Sequence, residues 1–231
     1  MKYKAETIER YTEKARNAVQ LAKSNLSNCH VRVSYGNKKI GKTLNFNLLA
    51  ILTCGGMCKK CGCQFYCYAV KDCLRFPAVL RSRAINTALA LYDTERYFAE
   101  IAEIIERRKS YEFIRFHVSG ELIGVDYFAE MVKLAKRFQN RRFWTYTKQY
   151  EIVNSYIAKY GELPKNFVVM FSDWDGYAMI NPYTMPTFRF YPAEKWGLIP
   201  ASAFVCGGDC NYCKANKCGC VYGQSAIVKE H

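Results

Sequence analysis

The chain has 231 residues, with 34 Lys plus Arg against 20 Asp plus Glu for a formal charge of +14, and a hydrophobic fraction of 50% that includes 18 Tyr and 14 Phe. That apolar content excludes a disordered chain, and the length admits one domain or at most two, one being the expectation. Apolar runs such as "LLAIL" are too short to cross a bilayer, so a soluble protein with no membrane partner is expected.

The first predicted element is a helix over about 5–25, in "MKYKAETIERYTEKARNAVQLAKSNL". It is charged and lacks the apolar segment of a secretory leader, which points to a cytoplasmic location. Next, "HVRVSYGNKKIGKTLNFNLLAIL" reads as two short strands joined by a Gly-Asn turn. Arg32, Lys38, Lys39 and Lys42 lie in it with no acid among them, and "RFQNRR" is a second basic run farther on. Such runs suit nucleic acid or another phosphate-bearing ligand, a solvated face, or neutralisation of thiolates.

The second of these strands leads into a cysteine phrase, "CGGMCKKCGCQFYCYA", carrying Cys54, Cys58, Cys61, Cys63 and Cys67. Helical spacing follows in "VLRSRAINTALALY" and "ERYFAEIAEIIERRK", then strand "YEFIRFHV", the segment "SGELIG", helix "VDYFAEMVKLAKRF", strand "RRFWTYT", helix "KQYEIVNSYIAKY" and strand "NFVVMFS". Strand-helix alternation predicts an α/β fold, a compact parallel (βα) partial barrel. The expected organisation is a single domain over 1–231, with an N-terminal helix in 1–28, a βα core in 29–176 and an extension in 177–231.

In such folds chemistry collects beyond the carboxyl ends of the strands. Those ends hold Cys54, then His117, Ser119, Gly120 and Glu121, then Thr147 and Lys148, then Ser172, Asp173 and Asp175. Past Gly176 the proline-rich segment predicts extended loops and one strand, bringing a second phrase, "CGGDCNYCKANKCGC", back to the same region. Both cysteine-rich loops are thus expected at the C-terminal ends of the strands. The second phrase holds Cys206, Cys210, Cys213, Cys218 and Cys220.

Twelve cysteines in a cytosolic chain favour metal over disulfides. Cys29 and Cys73 stand apart and read as buried apolar residues, Cys73 being a spare ligand candidate. Both phrases read Cys-Gly-Gly-x-Cys-x-x-Cys. Cys58 with Cys61 and Cys210 with Cys213 would suffice for one four-thiolate zinc site, leaving six phrase cysteines over. A [4Fe-4S] cluster, one or two of them, accepts the full wrap, and paired glycines let backbone amides approach its sulfides.

"CYAVK" after a cysteine-rich loop, "RFHVSGEL" and "FWTYTK" at successive strand ends, and a cysteine-rich tail together resemble the phage gene product 88 domain family, from about Asn37 to Cys220. The resemblance implies a phage or mobile-element origin and no defined reaction. It also puts Arg83 and Asn86 of "RSRAIN" where that family carries polar residues on a helix.

A more distant likeness is to radical S-adenosylmethionine enzymes, parallel partial barrels with a Cys-x3-Cys-x2-Cys loop after the first strand. Cys54, Cys58 and Cys61, or a trio ending in Cys63 and Cys67 before Tyr68, take that place, and Ser119, Gly120 and Glu121 take that of a Gly-Gly-Glu segment. Lys60, where an aromatic is usual, Ser119 in place of glycine, and four clear strands where six are usual depart from the pattern. The likeness implies an open cluster iron that binds S-adenosylmethionine, and an electron donor for an undefined substrate. Glu121 would accept from the methionine amino group, and Lys148 or Arg83 would pair with a carboxylate or phosphate. Thr147 and Ser172 would join the cofactor-binding face. His117 would act as acid, base or unusual cluster ligand, and the second phrase, with Tyr212, as an auxiliary site. The alternative is a non-catalytic iron-sulfur or zinc module that binds nucleic acid through charge and aromatic stacking.

Overall fold

A computed structural model of the chain describes residues 2–229, so the outermost positions of the expected 1–231 range lie outside the described residues. Helix α1 (Ala5–Ser24) aligns Ile8, Tyr11, Ala15, Val19 and Ala22 on one buried stripe at spacings of three and four. Strand β1 (Val33–Ser34) pairs antiparallel with β2 (Leu44–Phe46), which runs into the first cysteine phrase. That phrase holds the short α2 (Met57–Lys60), a 3-10 turn at Cys63–Tyr66 and the start of α3 (Tyr68–Arg75), a helix the periodicity of the sequence did not announce.

Helix α4 (Pro77–Tyr92) begins on Pro77, whose missing N–H costs nothing in a first turn. Helix α5 (Thr94–Arg107) begins where the Asp93 carboxylate accepts the Arg96 amide. After them come β3 (Phe113–Phe116), α6 (Val125–Arg137), β4 (Arg142–Thr147), α7 (Tyr150–Tyr160) and β5 (Phe167–Asp173), all within the segments expected except that β5 runs one residue farther, to Asp173. The extension departs from expectation: it holds two strands, β6 (Thr187–Tyr191) and β7 (Ala226–Lys229), with α8 (Cys210–Ala215) between them.

From β3 to β7 each strand pairs in parallel with the one before it, and the seven strands lie in chain order. The architecture is mixed α/β with a mostly parallel sheet that does not close. Strand side chains alternate between two faces. Ile114, Phe116, Phe143, Phe167, Val169 and Phe171 join the helix-covered core with Phe98 and Phe128. The other face carries a smaller cluster of Met170, Cys220 and Ala226, with Tyr146, Val168, Phe188 and Phe204 packed against it. Among the described residues no helix is long and apolar enough to cross a membrane.

Candidate functional site

The first cysteine phrase is tied to the strand ends by backbone groups. Gln149, just past β4, donates its amide to the Cys54 carbonyl at 3.2 Å, and the Thr53 hydroxyl accepts the Glu121 amide at 3.0 Å. Within α2, Cys58 and, just after it, Cys61 are buried while Lys59 and Lys60 face solvent. The thiols meet in pairs. A hydrogen bond between Cys54 and Cys58 pushes the Cys54 thiol well up, burial adding to the effect, and pulls the Cys58 thiol down. The Cys61–Cys63 bond likewise lowers Cys61 to about 6 and raises Cys63. Within each pair the proton is shared unequally, and Cys58 and Cys61 are the sulfurs that lose it more readily. Burial raises Cys67.

One basic strand-end residue reaches these thiols. Lys148 is a favourable charge for Cys61, Cys63 and Cys67, and its ammonium sits 5.1 Å from the ring centre of Trp174. Trp174 is in turn stacked on Phe190 at 5.3 Å and meets Tyr66 at 6.2 Å. Trp174 escaped the sequence reading although "SDWD" placed it directly beyond a strand end.

The remaining predicted residues are engaged in holding the fold together. The Glu121 carboxylate accepts the Lys148 amide at 2.9 Å and the Leu122 amide at 3.0 Å, and Thr147 also hydrogen-bonds to it. Burial nonetheless raises its pKa. Ser119 donates to the Leu48 carbonyl at 2.9 Å. Gly120, at φ +95, leaves no room for a Cβ, which would stand 2.6 Å from that of Leu48. Asn86 exchanges hydrogen bonds with the backbone of Arg32 and donates to Asn47. Arg83 donates to the Ala69 carbonyl and the Cys73 sulfur and pairs with Asp72, so it braces α3. Thr147 accepts the Gln149 amide at 2.8 Å, and the Ser172 carbonyl accepts the Tyr150 hydroxyl.

His117 is buried at φ +60, its ring stacked on Tyr127 and its Nε2 2.9 Å from the Tyr127 hydroxyl. Burial lowers its pKa to about 3, so the ring is neutral. Cys29 and Cys73 are buried, as expected of apolar residues. Asp173 and Asp175 pair with Arg189, and Asp175 also with Lys195.

The second phrase does not return to the first. It docks on the segment that precedes β2, at the opposite end of the strands: the Cys210 amide donates to the Lys39 carbonyl and Asn211 to that of Lys38. Lys214 donates to the carbonyls of Ile40 and Lys42 and to Thr43, over the ring of Phe113 at the start of β3. The extension crosses the sheet's second face instead of its carboxyl end, because β7 draws Cys206 in through the Ile227 carbonyl. Within the phrase, the Gly208 amide points at the Cys206 sulfur at 3.4 Å. Cys213, hydrogen-bonded to Cys218, is raised to about 12, chiefly by burial. Cys220 is raised to about 11, again chiefly by burial, and bonds to Tyr146. Gly219, at φ +67, is needed where it stands, since a Cβ would lie 2.8 Å from the Cys213 sulfur.

Among the described residues no three His, Cys, Asp or Glu side chains converge on the position of a single metal ion. The donor set itself, five thiols in each loop with amides directed at sulfur, matches the chemistry of soft metals and clusters.

A family model described as gene product 88 matches residues 7–181. It includes most of α1 and all of the first phrase and stops short of the second, unlike the span from Asn37 to Cys220 expected from the motifs. No curated protein and no solved structure matches the chain.

Proposed function

The chain belongs to the gene product 88 family, and from its thiol geometry we propose that it is an iron-sulfur protein with two separate cysteine centres, of phage or mobile-element origin. The carrying observation is the first phrase: paired thiols, one of each pair lowered, with Lys148 beside them at the strand ends. Cys54, Cys58 and Cys61, with Cys63 and Cys67 as the other candidates, would hold a [4Fe-4S] cluster there. Lys148 would offset part of its negative charge. Cys206, Cys210, Cys213, Cys218 and Cys220 would hold the second centre.

We extend this to an enzyme of the radical S-adenosylmethionine type, acting on an undefined substrate with an external electron donor. Support comes from the order of elements: a cysteine loop after β2, Ser119–Glu121 after β3, and parallel strands in sequence. When bound, a cluster with S-adenosylmethionine supplies one-electron cleavage of a sulfonium. The chain's own contribution would be to orient and to exclude water. Lys148 is the residue best placed to meet a carboxylate. Glu121 is less available than the sequence suggested, because backbone amides and Thr147 already occupy its carboxylate.

The test is anaerobic purification under iron-replete conditions. Iron with acid-labile sulfide, and 5'-deoxyadenosine released on adding S-adenosylmethionine and reductant, are expected. Stoichiometric zinc with negligible iron would defeat the cluster reading, and iron without 5'-deoxyadenosine would defeat the enzymatic one.

A second reading, a zinc or iron-sulfur module that binds nucleic acid, is favoured by one patch. Arg32, Lys38, Lys39 and Lys42 are all exposed, as is the ring of Tyr35, and the backbone of Lys38, Lys39 and Lys42 touches the second phrase. Binding that weakens steeply with salt, and whose salt slope falls when these residues are neutralised, would support it.

A further inference from the structure

Arg115, in the middle of β3, points to the sheet face that the second phrase covers. It lies beside Asn45 of β2 and Trp144 of β4 in the strand register. Its guanidinium rests 4.9 Å from the ring centre of Tyr146. That tyrosine packs with Cys220 and hydrogen-bonds to its sulfur. Among the described residues the Arg115 side chain makes no ion pair and no hydrogen bond, and its Nε is enclosed without an acceptor. Beside it the Asn45 Oδ1 is likewise enclosed without a donor. Of the other cations on this face, Lys214 is committed to backbone carbonyls and the Thr43 hydroxyl, and Arg142 lies over the ring of Tyr222.

Arg115 is half-buried, and a guanidinium whose Nε is enclosed without an acceptor gains when negative charge is brought to it. The second phrase is the source at hand. The Tyr146 ring on which the guanidinium rests packs directly against Cys220 of that phrase. Four thiolates on a divalent metal carry a net charge of about −2, which a neighbouring guanidinium would offset.

We infer that Arg115 is the resident counter-cation of a thiolate metal centre formed by the second cysteine phrase, a positioning residue that binds no metal itself. This rests on the metal reading proposed above and adds that the second centre is anionic and matched to the sheet beneath it.

Co(II) titration of the anaerobic, metal-free full chain tests it, read by the sulfur-to-cobalt charge-transfer absorption. Loss of one component in a Cys210→Ser, Cys213→Ser double variant assigns that component to the second phrase. Arg115→Gln should weaken the assigned component about 10- to 100-fold, the usual effect of removing an outer partner of a metal site, and leave the other component unchanged. Arg115→Lys should restore most of the affinity, and it carries the test if Arg115→Gln loses the near-ultraviolet circular dichroism of the wild type. Unchanged second-site affinity in Arg115→Gln, or no recovery in Arg115→Lys, overturns the inference. If the double variant titrates like wild type, the second phrase binds no metal and the underlying reading fails instead. If inorganic phosphate raises the melting temperature of metal-free wild type but not of Arg115→Gln, Arg115 serves an external anion, and the inference is again overturned.

Discussion

The Glu121 carboxylate, just beyond β3, accepts the backbone amide of Lys148 at 2.9 Å, just beyond β4, and so fastens one strand end to the next. The carboxylate that most resembled a cofactor ligand in the sequence is first of all a clasp. Glu121→Ala should therefore lower stability by about 1 to 3 kcal/mol through the amides it leaves unsatisfied. Urea denaturation of the metal-free protein measures this, and an unchanged midpoint would return Glu121 to a purely ligand-binding role.

His117 imposes a pH dependence. Its folded pKa, about 3, lies below the ordinary 6.5, so between those values the unfolded chain binds more protons than the folded one. Its contribution to stability is complete above about pH 6.5 and declines as pH falls toward about 3, by about 1.4 kcal/mol per unit well inside that window. The difference in stability between wild type and His117→Phe should follow this slope. Parallel curves for the two proteins would show that the ring is not held neutral by burial.

Separate anchoring of the two phrases predicts independent metal loading. Cys206→Ala should lower metal content only at the second phrase, and Cys58→Ala only at the first, as counted by metal per chain. A single substitution that emptied both would mean that the phrases share one centre.

Gly219→Ala should be harmful out of proportion to its size. The new methyl would stand 2.8 Å from the Cys213 sulfur on a backbone at φ +67. A left-handed backbone at a non-glycine residue costs about 1 kcal/mol or more before that contact is counted. Metal at the second phrase should fall, and normal stoichiometry with wild-type stability would show that the loop repacks freely.

Periodicity made most of the fold legible: the stripe of α1, the helices α4 to α7 and the strands β3 to β5 stand where the spacing put them. The destination of the second phrase was not legible. Its likeness to the first suggested a common place, whereas its docking depends on a pairing between Cys210 and Lys39 that no local pattern encodes. The same holds for Asn86 and Ser119, whose partners Arg32, Asn47 and Leu48 come from a distant loop. Arg115 did leave a signal: "FIRF" sets a lone cation inside an apolar strand, unusual in a parallel sheet covered on both sides.

Strand order that follows chain order lets the sheet grow one strand at a time from β2 during synthesis, each addition pairing with a neighbour already made. The contact of Lys214 with Ile40 and Lys42 is different, since it joins positions 174 and 172 residues apart. It waits for Lys214 to leave the ribosome, while the first cysteine phrase needs only the strands up to β4. Assembly then has a fixed sequence in time: the first thiol loop can take its place on the nascent chain, and the second is docked only after a long further stretch has been made.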